Sequence, residues 1–369
     1  MTPGEMIGNA IKQLHLQQKT VAGIACIDPT NLNRIIKGQR PVDADSALRL
    51  EMAIGLSAQE LLQTQVLFDI RKAQEKFSPE VKEKIALGKE VYSLVPVGEM
   101  ISRGWLPEVN PSSDARDLKA SLEAFFDGKK LTDLELAYAA KKTNEFDATS
   151  PSQLAWLGRA KQVARSCEVL RKYDEREFSQ ILEALKPLLA DEKSVAQVAH
   201  LLSLHGIRLV YVEKLKSSKI DGACMWLDQE SPVVAMSLRY DRNDNYWFVL
   251  RHELEHVRNR DGMVMPAVDS VDALEACEDA ANRAYENFID PDDSIPEFIR
   301  TSRITLTGVK SLAQAMNLHP GLVIGRIQFL TKRYSLLRNL QTKIRQFVLD
   351  DCFNVDGWGI EFMRRVEQR

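Results

Sequence analysis

Paired cysteines and long apolar runs are both missing from this chain. Its five cysteines, Cys26, Cys167, Cys224, Cys277 and Cys352, are odd in number and scattered, with no Cys-x-x-Cys among them. That usage excludes a disulfide framework and a thiolate zinc site, and it fits reduced thiols in a cytosol. No run of 18 or more apolar residues occurs, so no membrane-spanning helix is expected. The opening MTPGEMIGNAIKQL lacks the apolar core of a signal peptide, which points to a cytoplasmic protein without a membrane partner. Net charge is also scarce: 49 Lys and Arg against 52 Asp and Glu leave −3 over 369 residues. Without a global basic field, any contact with nucleic acid has to come from a local patch. Repeats and low-complexity tracts are absent as well.

A chain of this length predicts two or three domains. The first 75 residues read as short helices with tight turns. Longer helical patterns follow to about residue 204, interrupted by the turn-rich GWLPEVNPSSDA at 104–115, which reads as a linker. One helix is expected from Pro151 to about Lys172 behind a Ser152 cap, with Leu154, Leu157, Val163 and Leu170 on its apolar face. The texture then changes. GIRLVYVEKL (206–215), GACMWL (222–227) and PVVAMSL (232–238) predict a three-stranded sheet containing a hairpin. A helix from about Asn245 to Arg258 follows, striped by Trp247, Leu250, Leu254 and Val257. A second runs from about Val271 to Ile289, with Leu274, Cys277, Ala281, Ala284 and Phe288 on one side and Pro291 as its stop. The segment from 196 onward therefore reads as α+β and the rest as mostly α.

Residues 252–256 spell His-Glu-Leu-Glu-His. On a helix, positions i and i+4 lie one above the other, so His252 and His256 can offer imidazole nitrogens to one Zn²⁺ ion. Glu253 sits beside them, placed to take a proton from a metal-bound water without being a ligand. A third protein ligand is expected from a neighbouring helix. Glu278 is the candidate, because a carboxylate among apolar neighbours in mid-helix is expensive to bury without a partner. Glu275, one turn away, and Glu255, on another side of the first helix, are the competing carboxylates.

These segments together, with EDAANRAYENFIDP after the histidine helix, resemble the ImmA/IrrE family of zinc metallopeptidases over about residues 200–330. In that family the ligand glutamate opens an E-x-x-A-N-x-x-A pattern 13 residues before a proline, as Glu278 stands to Pro291. The resemblance implies a zincin-like fold, a zinc cofactor and peptide hydrolysis, with Glu253 shuttling the proton. His200, His205, Arg239, Tyr240 and Arg242 are candidates for stabilising the oxyanion. His319 reads as a loop or helix-cap residue.

Residues 16–41, LQQKTVAGIACIDPTNLNRIIKGQRP, read as helix, tight turn, helix. Asp28 suits an N-cap and Pro29 the first helical position. The second helix should turn Leu32, Ile35 and Ile36 inward, and Gly38 closes it. Thr30, Asn31, Asn33, Arg34 and Lys37 then face outward, side chains that hydrogen-bond bases and phosphates. Lys19, Arg34, Lys37 and Arg40 against Asp28 make the stretch +3, the local patch that the whole-chain balance conceals. Gln17 and Gln18 are expected on phosphates at the end of the first helix of the pair.

This pattern is similar to the helix-turn-helix of the XRE family, especially HigA-type antitoxins. The shared segments include Pro3-Gly4-Glu5, Lys37–Val42, Ala47–Leu50, and Leu62–Gln65 with Phe68-Asp69. Cys26 stands where that turn usually carries glycine, so a positive φ there would strain it mildly. The resulting expectation has three parts: a helix-turn-helix domain over 1–75, a helical linker or dimerisation region over 76–195, and a zinc peptidase domain over 196–369. The protein would bind double-stranded DNA, as a homodimer on an inverted repeat, and cleave itself or a partner regulator or toxin. The alternative is a non-catalytic repressor or antitoxin whose zinc domain senses a ligand or partner.

Overall fold

The computed structural model describes residues 1–130, 150–261, 271–349 and 354–360, with only the backbone of 271–276. Glu275, Leu274 and Cys352 therefore fall outside the described side chains. The chain divides into two compact units, Met1–Leu87 and Gly88–Arg369.

The first unit holds α1 (Pro3–Gln13), α2 (Gln18–Ile24), α3 (Pro29–Ile36), α4 (Ala44–Ile54) and α5 (Ala58–Lys76). Local chemistry starts each of the well-capped helices. Thr2 and Glu5 form a reciprocal capping box on α1. Asp28, Asp43 and Ser57 accept backbone N–H bonds at the heads of α3, α4 and α5. Ile7, Val21, Leu32, Ile35, Leu50 and Leu61 fill one core between the helices. Gly4 brings α1 against α3 closely enough that any β-carbon would collide with the Ile36 carbonyl.

The boundary between the units falls inside α6 (Pro79–Leu94). The second unit continues with α7 (Val97–Ser102), α8 (Ala115–Phe125), α9 (Pro151–Ser166), α10 (Phe178–Leu185) and α11 (Val198–Leu204). A mixed sheet follows, built from β1 (Arg208–Val212), β2 (Gly222–Trp226), β3 (Pro232–Met236) and the late β4 (Val355–Asp356), in the order β2-β3-β1-β4. β1 lies parallel to β3 and β4, and β2 pairs antiparallel to β3, which leaves β2 as an edge. The helices α12 (Asn243–Arg258) and α13 (Val271–Ile289) pack side by side, with α12 also against β2 and β3. Then come α14 (Ser294–Thr301), α15 (Leu306–Ala315) and α16 (Pro320–Thr331). Trp247, Leu250, Leu254 and Val257 are fully buried in the core, as their spacing predicts.

Four expectations need correction. The sheet has a fourth strand, because the short β4 reaches back to β1. The helix at 151 is capped by Ser150, whose side chain accepts from Gln153 N while Gln153 returns the bond, so Ser152 is already inside it. That helix ends at Ser166, and Leu170 is 71% exposed rather than on a buried face.

The fourth concerns 104–115 and the wider middle region. Trp105 and Leu106 are buried, so this stretch is packed rather than a linker. The Trp105 indole N–H donates to Asp356 Oδ2 at 2.8 Å, and the Arg159 guanidinium grips the same carboxylate at 3.0 and 3.1 Å. Trp156 Nε1 donates to the Val212 carbonyl at 2.9 Å. Residues from 88 onward thus belong to the unit that contains the sheet. No described helix is long and apolar enough to cross a membrane.

Candidate functional site

α12 presents His252 and His256 one turn apart, and α13 brings Glu278 against them. The two Nε2 atoms are 3.2 Å apart, and Glu278 Oε2 lies 3.2 Å from His252 Nε2 while its Oε1 lies 3.6 Å from His256 Nε2. One ligand atom from each residue falls within 4.8 Å of the others, a spacing that one metal ion can bridge.

The far ring nitrogens are engaged as well. His252 Nδ1 meets Asn282 Oδ1 at 3.2 Å, and His256 Nδ1 meets Asp261 Oδ2 at 2.9 Å. Both partners present acceptor oxygens, so the neutral tautomer with its proton on Nδ1 is favoured for each ring. Two Nε2 lone pairs and a carboxylate then converge on one point. A group of acceptors this tight is repulsive unless a cation joins it, so the donor set fits a zinc ion.

The electrostatics agree with that arrangement. Burial alone would lower the His252 imidazole, but Glu278 and Glu253 beside it raise it overall. Close contact with His252 Nε2 holds the Glu278 carboxyl below its usual range, and that side chain stays 60% exposed. Glu253 is buried, which pushes its carboxyl up to about 7 against the pull of the two histidines. It lies under β2, where a β-carbon on Gly222 would stand 3.0 Å from Glu253 Oε1.

The competing carboxylate Glu255 points elsewhere. It is buried and held by Arg251 at 2.7 Å and Arg258 at 3.2 Å. His319 caps α16, accepting from Gly321 N at 3.0 Å. His205 joins Arg171 and Glu177, and Arg239 lies 3.6 Å from Asp221. Sequence reasoning missed Asn282 and Asp261. Asn282 was within reach of it, being four residues after Glu278 and so on the same helix face.

The first unit holds the other set of predicted residues. Asp28 Oδ1 accepts from Thr30 N at 2.9 Å and Asn31 N at 3.0 Å, which fixes the head of α3. Leu32 and Ile35 are buried and Ile36 partly so, leaving Thr30, Arg34 and Lys37 exposed and Asn31 and Asn33 partly exposed. Cys26 takes φ +51° in the turn between α2 and α3. Gln17 and Gln18 stand at the N-terminal end of α2, and Gln17 makes no side-chain cap bond. Arg40 is tied to Asp43 at 3.6 Å on the surface, a weak pairing that competes with any phosphate.

An amphipathic helix with amide and guanidinium side chains outward, set on a second helix by a tight turn, defines a DNA-reading module. The helix-turn-helix family profile matches residues 7–61. The chain is also similar to "Virulence-associated protein I" of Dichelobacter nodosus, 32% identical over 74 residues, or 20% of this chain and 68% of that protein. No solved structure matches the chain. Through this segment the chain belongs to the XRE-type helix-turn-helix family, and it is a DNA-binding transcriptional regulator whose partner is double-stranded DNA.

Proposed function

We propose that this regulator carries a zinc-dependent peptidase site in its second unit and cleaves itself or a partner regulator. The observation that carries the reading is the convergence of His252 Nε2, His256 Nε2 and Glu278 beside the buried Glu253. It agrees with the resemblance to the ImmA/IrrE metallopeptidases and a zincin-like arrangement of helix and sheet. His252, His256 and Glu278 would hold the ion, and Asn282 and Asp261 would fix the ring orientations. Zinc bound there would supply Lewis acidity and an ionisable water. Glu253 would be the group that holds the proton and passes it to the leaving amine, help worth ~10²–10⁴ in rate. The edge strand β2, adjacent to α12, has no strand on its outer side among the described residues, so an extended peptide could pair there.

On DNA, the chain acts as a dimer on an inverted repeat, in the manner of an antitoxin or repressor with a protein partner. Val66, Leu67 and Ile70 on α5 support this, since they form an exposed apolar strip on the DNA-binding unit.

The test compares wild type with Glu253→Gln, each zinc-loaded, on operator DNA and with candidate partner proteins. The variant should keep metal and operator affinity, while only wild type yields fragments by intact-mass spectrometry and relieves repression. Identical regulation by both, with no fragment, would replace the peptidase with a sensor.

A further inference from the structure

A cavity of about 670 Å³ opens beside the histidine pair. Its walls come from α12 (Asp244, Phe248), α13 (Asn282, Tyr285) and α16 (Gly325, Phe329). Two of these side chains join it to the metal centre. The Phe248 ring lies 5.8 Å from the His252 ring, and Asn282 is the residue bonded to His252 Nδ1. A ligand in the cavity is therefore one side chain away from the reacting position.

The lining is unusual for this surface. Six Phe and Tyr side chains are exposed among the described residues, and four rim this one opening: Tyr240, Phe248, Phe329 and Tyr334, at 46, 36, 50 and 54%. Exposed aromatic surface gathered at a cavity mouth marks a binding site, where rings bury much area at little entropic cost. The charges in the lining are already matched. Arg242 meets Asp244 at 3.0 Å, and Arg326 meets Glu286 at 2.7 Å. An incoming charge would therefore find no unpaired partner and would lose its hydration. Tyr285 is buried and adds a neutral ring to the same lining. Gly325 lets α16 pack closely on the head of α12, because a β-carbon there would collide with the Asp244 carboxylate.

We propose that this cavity is the specificity pocket of the site, receiving the bulky uncharged side chain, aromatic or large aliphatic, of the polypeptide residue next to the cleaved bond. This rests on the peptidase reading and names its substrate class.

Two measurements on the zinc-loaded full-length chain test it. In the first, N-acetyl-phenylalaninamide, N-acetyl-alaninamide and N-acetyl-lysinamide are titrated by ligand-observed NMR. The phenyl amide should bind about tenfold or more tighter than the other two. The Phe329→Ser/Tyr334→Ser double variant should erase that margin with zinc content unchanged, and Tyr334→Phe should retain it. In the second, a randomised peptide library is digested and its cut sites sequenced. Phe, Tyr, Leu and Met should be enriched on one side of the bond in wild type and not in the double variant. Equal binding of the three amides, or a preference indifferent to the rim variants, overturns the pocket. A library cut without side-chain preference keeps the peptidase and overturns the pocket. Rim-dependent binding with every peptide left intact keeps the pocket as a side-chain receptor and overturns the peptidase.

Discussion

Asp261 places a carboxylate oxygen 2.9 Å from Nδ1 of His256, on the side of the ring that faces away from Glu278. This pairing fixes the tautomer and the orientation of the imidazole. Asn282 does the same for His252 without a charge. The purified chain should carry about one zinc, and Glu278→Ala should release most of it. Asp261→Ala or Asn282→Ala should each weaken zinc affinity ~10–100-fold, read by chelator competition. Full retention in all three would move the metal site elsewhere.

Arg34 is exposed on the outer face of α3, and Lys37 at its C-cap. Arg34→Ala should cost ~1–3 kcal/mol of operator binding and relax preference at one base position. Lys37→Ala should weaken all sequences alike and reduce the slope of log affinity against log salt by about 1. Footprinting and salt titrations separate the two. A footprint and slope unchanged by both would remove α3 from the groove.

Asp356 gathers the Trp105 indole and the Arg159 guanidinium at a buried point. Asp356→Ala takes the carboxylate away from both and should cost about 3–5 kcal/mol of the second unit's stability. Urea unfolding of the full chain should show one transition shifted to lower denaturant, while operator affinity holds.

Asp43 caps α4, and its hydrogen bonds from Ser46 hold the carboxyl below its usual range. A carboxyl lowered by folding stabilises above its unfolded pKa, and that contribution is lost as pH falls through the lowered value. Asp43→Ala should cost about 0.5–2 kcal/mol near neutral pH. The gap between variant and wild type should close on acidification below the ordinary carboxylate range. An equal gap at all pH values would assign the loss to something other than the cap.

Much of this architecture could be read from residue order, and the remainder has identifiable causes. The stripe of Trp247, Leu250, Leu254 and Val257 repeats at helical spacing, so α12 and its histidines were predictable one residue at a time. α13 matched its predicted span because Pro291 stops it. Asp28 and Pro29 announced α3 with equal clarity. β4 was hidden because two residues carry no period. Trp105 was hidden because a turn-rich segment looks like a linker until its distant partner is known. Asp261 lay beyond reach for a related reason: its role depends on how the chain bends after α12, which spacing along a helix does not encode.

The bond from Trp105 to Asp356 spans 251 positions in sequence, whereas the first unit closes on itself within its first 87 residues. On a ribosome these two schedules separate in time. The DNA-reading helices can assemble from short-range contacts as soon as they emerge. The sheet, by contrast, waits for β4 and for the carboxylate that anchors its flanking helices. A nascent or prematurely ended product is therefore a DNA binder before the sheet of its second unit is complete. Occupancy of the operator by incomplete chains then becomes a built-in consequence of strand order.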